Sequence, residues 1–157
     1  MTSPATDALA PLTPDDAGEV LTLQRAAYTS EARLYRDPFL PALTQSLEEL
    51  EAELHGPGLG LRSAGRLIGA VRWTVDDGVA HIGRLTVVPD LQGRGIGTRL
   101  LRAAEEASGA DRFELFTGHL SEANIRLYER EGYVVDRREP LHEGVDLMYL
   151  VKVRPLP

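Results

Sequence analysis

The 157-residue sequence contains no cysteine, and this absence excludes several kinds of site at once. Without thiols the chain has no disulfide framework, no thiolate zinc centre and no cysteine nucleophile. The lack of disulfides is compatible with the cytoplasm, which is the location we predict. None of the four histidines stands at a ligand-like spacing from another, so we expect no metal centre.

A surplus of positive charge is also missing. The 17 basic residues are outnumbered by 24 acidic ones, the formal net charge is −7, and Lys152 is the sole lysine. Proteins that bind nucleic acid usually present a basic face, so we expect no nucleic-acid partner. No apolar run approaches the ~20 residues that cross a bilayer. Residues 1–16 lack a basic region followed by an apolar core, so neither a signal peptide nor a membrane association is expected.

The residues that are present fit one folded domain. A hydrophobic content of 43% supplies a core, and 26% charged residues cover a surface. We predict a single domain over residues 1–157, with 1–7 as a loose tail. Apolar periodicity predicts the order β-α-α-β-β-β-α-β-α-β-β, an α/β fold of the α+β type in which a mixed sheet carries helices on both faces.

Helix signals mark both ends of the sequence. Thr13 is the predicted N-cap of a helix over residues 13–28. Residues 29–43 contain two prolines and no sustained period, which favours helix fragments and loop. Further along, Ser121 is the predicted N-cap of a helix over residues 121–131.

Alternation along the predicted strand 79–88 assigns its side chains to two faces. Arg84 is expected on the face toward the helices, in a structural ion pair. On the face opposite to Arg84, the glycine two residues after His81 would leave room for a small group. That face is predicted to carry His81, Gly83, Leu85 and Val87.

Three glycines fall within five positions of the stretch VVPDLQGRGIGTRLL, residues 87–101. The stretch leads from a strand into a helix, so the glycines lie at a helix N-terminus, where N–H groups and the helix dipole attract anions. Each glycine costs roughly 0.5–1 kcal/mol in regular structure, so their concentration favours a phosphate-binding turn. A P-loop is excluded because no lysine follows, and a dinucleotide fingerprint is excluded because Thr98 replaces its third glycine.

Two motifs carry a resemblance to a known family. The run from Gln92 to Gly97 fits the Q/R-x-x-G-x-G/A signature of the GCN5-related N-acetyltransferases, the GNAT superfamily. Further along, NIRLYEREGY at 124–133 is similar to that family's second landmark, an asparagine followed by LY-x-x-x-G-Y/F. The resemblance covers nearly the whole chain, is weakest over residues 1–57, and implies the GNAT fold with a splayed central strand pair.

The resemblance implies acetyl-CoA, or another acyl-CoA, as the ligand of the glycine turn. Its pyrophosphate would lie on the backbone amides of the turn, and its pantetheine would pair with strand 79–88 where that strand splays from 112–118. The Leu85 N–H would polarise the thioester carbonyl. The positions implied in binding the coenzyme are Leu85, Thr86, Val87, Gln92, Gly93, Arg94, Gly95, Ile96, Gly97, Thr98 and Asn124.

The resemblance also suggests two catalytic residues. Tyr128 occupies the position at which the family's tyrosine points its hydroxyl at the CoA sulfur, and a phenol suits the protonation of a departing thiolate. His81 lies eleven residues before Gln92, where histone-type members carry a catalytic glutamate, and an imidazole can take up a proton near neutral pH. His81 is therefore the candidate base.

Several residues stay open for the base and for the acceptor site. Glu31, Tyr35 and His119 are rivals of His81 for the role of base. His142 lies in the last hairpin turn, which often borders the acceptor. The residues predicted to line an acceptor pocket that attracts an amine are Tyr28, Glu31 and Tyr35.

The reaction implied by the resemblance moves an acetyl group from acetyl-CoA to a primary amine of a small molecule or a peptide. No cysteine is present to carry the group, so direct attack in a ternary complex is expected. Two alternatives stay open: the same fold with another acceptor or acyl group, and a catalytically silent acyl-CoA-binding or regulatory module. Family members often dimerise, so a homodimer is also possible.

Overall fold

A computed structural model describes residues 7–156 of the chain. The predicted tail over 1–7 therefore lies outside the described residues except for Asp7. The strands are β1 (Ala8–Pro11), β2 (Gly58–Ser63), β3 (Arg66–Asp76), β4 (Val79–Val87), β5 (Arg112–Gly118), β6 (Val134–His142) and β7 (Val145–Val153). The helices are α1 (Ala17–Tyr35), α2 (Pro41–Thr44), α3 (Leu47–Glu53), α4 (Ile96–Ser108) and α5 (Glu122–Arg130).

The seven strands form one mixed sheet in the order β1-β2-β3-β4-β5-β7-β6. Only the β4–β5 pair is parallel. Arg72 on β3 bonds to Gln24 of α1 and Glu53 of α3. Leu100 of α4 lies against Gly69 of β3. Gly69 is three residues before Arg72, so it lies on the opposite face of the sheet from Arg72. The predicted mixed sheet with helices on both faces is therefore confirmed.

Helix α1 is longer than the sequence predicted. Its N-terminus is preceded by a short 3₁₀ turn, Pro14–Asp16, where Thr13 and Asp16 form a capping box. The expectation of helix fragments and loop over residues 29–43 was wrong for its first part, since α1 continues unbroken to Tyr35 and ends at Arg36 in a left-handed conformation. It holds for the later part, where α2 is a fragment of four residues. The prolines act only beyond Arg36, so nothing interrupts the helix earlier.

Strand β4 carries a bulge that overturns the predicted alternation. Its register against β3 shifts so that Arg84 and Leu85 together stand opposite a single β3 residue, Val71. Arg84 has φ 51°. A bulge of this kind places two successive side chains on one side of the strand.

The faces of β4 beyond the bulge are consequently exchanged. Val87 lies on the α4 side, where its Cγ2 is 3.9 Å from the position a Cβ on Gly97 would take. His81 shares the α1 side with Arg84, whose guanidinium lies over the ring of Tyr28. The prediction that Val87 shares the face of His81 was therefore wrong.

A buried charged cluster fixes α4 to the far half of the sheet. Glu105 accepts hydrogen bonds from the Tyr133 hydroxyl at 2.7 Å and from Lys152 Nζ at 2.9 Å. Burial, followed by the bond to Glu105, raises the pKa of the Tyr133 phenol. Glu105 and Tyr133 are 8% and 2% exposed, so the cluster is closed to bulk water.

Replacing Glu105 by glutamine is expected to lower the free energy of unfolding by about 2 kcal/mol, because Lys152 loses its charged partner in a poorly hydrated place. Chemical denaturation measures the change. The neighbouring Glu106, whose side chain is 84% exposed, supplies the control E106Q, expected to stay within about 0.5 kcal/mol of the parent. Equal losses in the two variants would contradict a buried role for Glu105.

Candidate active site

The glycine turn is shaped by left-handed backbone at two positions. Gly93 has φ 78° and Gly95 has φ 81°, and Gly95 is the N-cap of α4. A Cβ built on either residue would meet nothing within 4 Å, so the surface above the turn is open. The turn therefore needs glycine for its conformation and exposes the first amides of a 13-residue helix.

The start of the turn is tied to the sheet by a bidentate ion pair. Both guanidinium NH groups of Arg66 reach the carboxylate of Asp90 at 2.9 Å. The pairing holds the pKa of Asp90 below its usual range. Gln92 Nε2 also donates to the Val87 carbonyl at 3.3 Å, so side chains on both sides hold the turn at the end of β4.

Strands β4 and β5 separate after only three paired positions. Their register runs from Val79 with Arg112 to His81 with Glu114 and stops there. Residues 82–87 of β4 therefore present a backbone edge that β5 does not pair, and such an edge accepts an added extended chain. The predicted splay of the central pair is present, and it opens toward the glycine turn.

The Tyr128 side chain of α5 is buried beside α1. Its neighbour Leu127 lies on the α4 side, with Cδ2 3.5 Å from the position of a Cβ on Gly97. The phenol is close enough to Tyr28 and Glu31 of α1 to be influenced by them electrostatically. Tyr128 is 7% exposed, and burial, aided by those two groups, raises the pKa of its hydroxyl. No hydrogen bond to residues 7–156 engages that hydroxyl, so its proton is available.

Helix α1 and the turn after β5 form a polar cluster beside Tyr128. The Ser121 hydroxyl donates to Glu31 Oε2 at 2.7 Å and lies 2.7 Å from the Tyr35 hydroxyl. The backbone N–H of Leu120 also donates to the Tyr35 oxygen, at 3.0 Å. Burial raises the pKa of the Tyr35 phenol. The extension of α1 to Tyr35 is what brings these side chains together.

Two residues of this cluster were missed in the sequence. Ser121 precedes α5 as predicted, but its side chain makes no capping bond and turns to α1 instead. A Cβ on Gly118 would collide with the Tyr35 phenol, so this glycine permits the approach of α1. A serine before a helix and a glycine at a strand end are common for local reasons, and no sequence signal marks their long-range partners.

The histidines are placed differently from one another. His81 is exposed on the α1 side of β4, at the last paired position before the strands separate. His119 accepts the Asp146 N–H on Nδ1 at 3.0 Å, which fixes its ring between β5 and β7. Within residues 7–156 no three His, Asp or Glu side chains cluster as they would around a metal ion.

The other predicted coenzyme positions differ in what their side chains do. Thr86 is buried on the α1 side, and its hydroxyl lies 3.5 Å from the Ala70 carbonyl, so only its backbone faces the opening. Ile96 packs against the core, while Arg94 is exposed at the turn. Asn124 donates from Nδ2 to the Thr117 hydroxyl at 3.3 Å, which joins α5 to the open end of β5.

A comparison with protein families identifies the family to which this chain belongs. The profile described as "Acetyltransferase (GNAT) family" matches residues 23–133, which include the glycine turn, the strand opening and Tyr128. The chain belongs to the GNAT family. The described fold is thus an N-acetyltransferase domain, and the acyl donor of this family is acetyl-CoA.

Curated relatives match the chain over part of their length. The chain is 30% identical over 118 residues to the UPF0157 protein YqkA of Bacillus subtilis, a match that covers 74% of this chain and 34% of that protein. It is 36% identical over 80 residues to the S-(2-succino)cysteine N-acetyltransferase of the same organism, covering 48% of each. The matched part of the GNAT chain thus spans only a third to a half of these two relatives.

Solved structures confirm the fold. The PaiA N-acetyltransferase of Thermoplasma acidophilum, crystallised with coenzyme A, superposes with a TM-score of 0.78 at 19% identity, covering 94% of this chain and 99% of that one. At this identity the likeness establishes the GNAT architecture alone. Among residues 7–156 no helix combines the length and apolarity needed to cross a bilayer.

Proposed function

We propose that residues 1–157 act as a single acetyl-CoA-dependent N-acetyltransferase domain that acetylates a primary amine of a small molecule or a peptide. The observation that carries this proposal is the separation of β4 from β5 beyond His81, together with a buried Tyr128 phenol that no hydrogen bond to residues 7–156 engages. An extended pantetheine that pairs with the free edge of β4 would run from the glycine turn to that phenol. The cysteine-free sequence supports a cytoplasmic location.

The residues around the opening support a direct transfer in a ternary complex. The amine nitrogen attacks the thioester carbonyl, the new C–N bond forms, and the C–S bond breaks. Tyr128 gives its proton to the departing sulfur and recovers one from solvent. The Leu85 N–H, at the bulge in β4, stabilises the oxyanion.

The proton of the attacking ammonium needs an acceptor, and we assign it to His81 through a water molecule. His81 is exposed on the α1 side, next to the open space above Gly83. Glu31, on the same side, bonds to Ser121 and attracts the ammonium toward the opening. This division gives the two groups separate tasks, proton removal for His81 and binding for Glu31.

The proposal is tested by following thiol release from acetyl-CoA with a panel of primary amines, alongside calorimetric binding of CoA. The expected result is CoA binding together with amine-dependent thiol release. CoA binding with no release for any amine would favour the catalytically silent alternative. The absence of CoA binding at millimolar concentration would contradict both.

His81→Gln is expected to lower kcat by about tenfold, because a water-mediated base is lost while the ammonium can still lose its proton to solvent. The affinity for CoA should stay unchanged. His55→Gln, in the exposed turn after α3, is the matched control. Unchanged turnover in H81Q together with a large loss in E31Q would transfer the role of base to Glu31.

A further inference from the structure

Arg84 occupies a conformation that a large side chain rarely adopts. Four non-glycine residues among 7–156 have positive φ, and three of them lie in a helix end or in hairpin turns. Arg84 alone lies within a strand. Glycine would fit φ 51° more easily, so the retention of an arginine there indicates that its side chain has a use.

No acidic partner accounts for this side chain. Among residues 7–156 no carboxylate oxygen lies within 4.0 Å of the Arg84 guanidinium, which instead stands 5.8 Å from the centre of the Tyr28 ring. The predicted structural ion pair of Arg84 was therefore wrong. The cation near Arg84 is Arg72, which is already paired with Glu53 at 3.0 Å.

The surroundings of Arg84 carry an excess of positive charge. Arg72 is only 8% exposed. Its burial lowers its pKa, Glu53 opposes this effect, and the nearby positive charge of Arg84 lowers the pKa of Arg72 further. Glu53 thus pairs with Arg72, while Arg84 has no carboxylate within 4.0 Å among residues 7–156. An anion placed beside Arg84 would relieve this repulsion and form charge-assisted hydrogen bonds.

The space for such an anion lies next to the reacting groups. A Cβ on Gly83, the residue before Arg84, would meet nothing within 4 Å. Tyr28, over which Arg84 lies, is one helical turn from Glu31 on the same face of α1. Positive and negative side chains therefore lie on the same side of β4, and Tyr28 and Glu31 both influence the Tyr128 phenol.

We propose that the acceptor is an amine that also carries a carboxylate, such as a free amino acid, and that Arg84 binds this carboxylate while Glu31 faces the ammonium. The inference rests on the proposed acetyl transfer and adds the class of the acceptor. The carboxylate fixes the amine in the opening, so Arg84 acts on binding of the acceptor and not on the chemical step.

The test compares free amino acids with their carboxamides, which keep the amine and side chain but lack the charge. With acetyl-CoA as donor, we expect kcat/KM to be roughly tenfold to a hundredfold higher for the acid of each accepted pair. In Arg84→Gln this preference should disappear through a higher KM for the acids, with kcat and the carboxamides little changed. Arg84→Lys should restore part of the preference. Arg126→Gln, on the exposed surface of α5, is the matched control.

The outcomes separate this inference from the function on which it rests. Equal kcat/KM for acids and carboxamides, or an equal loss for both in R84Q, would overturn the role of Arg84 and leave acetyl transfer intact. Failure of every amine to release thiol would contradict the proposed function instead. In that case calorimetry, with the protein saturated with free CoA, measures the Kd of each amino acid and of its carboxamide. The comparison of the two Kd values tests the preference for the carboxylate without turnover.

Discussion

Tyr128→Phe is expected to lower kcat by about a thousandfold while the Kd for CoA stays within about twofold, because general acids contribute factors of this size. The variant removes one oxygen that has no hydrogen-bond partner within residues 7–156, so its fold should be unaffected. Burial raises the pKa of the phenol, which keeps it protonated and ready to donate.

The pH dependence gives a second measurement on Tyr128. A raised pKa means that the acid form persists to higher pH than in a free tyrosine, whose pKa is about 10. The parent enzyme should therefore show no fall in kcat from loss of this proton up to about pH 10. Tyr149→Phe removes the same atom from β7, away from the opening, and is the control. Turnover of Y128F equal to that of Y149F would contradict the assignment of the acid.

Gly95→Ala is expected to raise the Kd for CoA by about a hundredfold. The substitution disturbs the N-terminus of α4, whose amides are predicted to donate two or more hydrogen bonds to the phosphates of the coenzyme. The φ of 81° is unfavourable for alanine, so the turn must shift and its amides move out of alignment. Calorimetry with CoA measures the change directly.

The opposite end of the same helix offers a matched control. Gly109 is the C-cap of α4, has φ 67°, and likewise has nothing within 4 Å of an added Cβ. Gly109→Ala thus imposes a similar backbone cost, about 1–2 kcal/mol, without touching the predicted phosphate site. We expect both variants to lose similar stability and only G95A to lose affinity. Equal Kd values in the two variants would remove the glycine turn from coenzyme binding.

The glycine turn and the Tyr128 motif were predictable because each is a local feature. Gly93 and Gly95 adopt left-handed φ values that only glycine takes easily, so the sequence records the conformation directly. The apolar periods of β4 and α4 likewise follow from neighbours along the chain. These signals led to the correct strand and helix order and to the correct family.

The α1 side of the opening could not be predicted in the same way. The bulge at Arg84 adds one residue to β4, and no residue type in the sequence demands it, so the predicted face of Val87 was wrong. Ser121 and Tyr35 meet across 86 positions of sequence through a contact that depends on the packing of α1 against the β5–α5 turn.

The sequence by itself determined the turn, its helix and the family, because backbone conformations and short motifs are encoded where they occur. Only the tertiary structure decided which charged side chains lie on the α1 side of β4. Side-chain direction after a bulge and contacts between distant elements depend on the register of the whole sheet, which no local stretch of residues specifies.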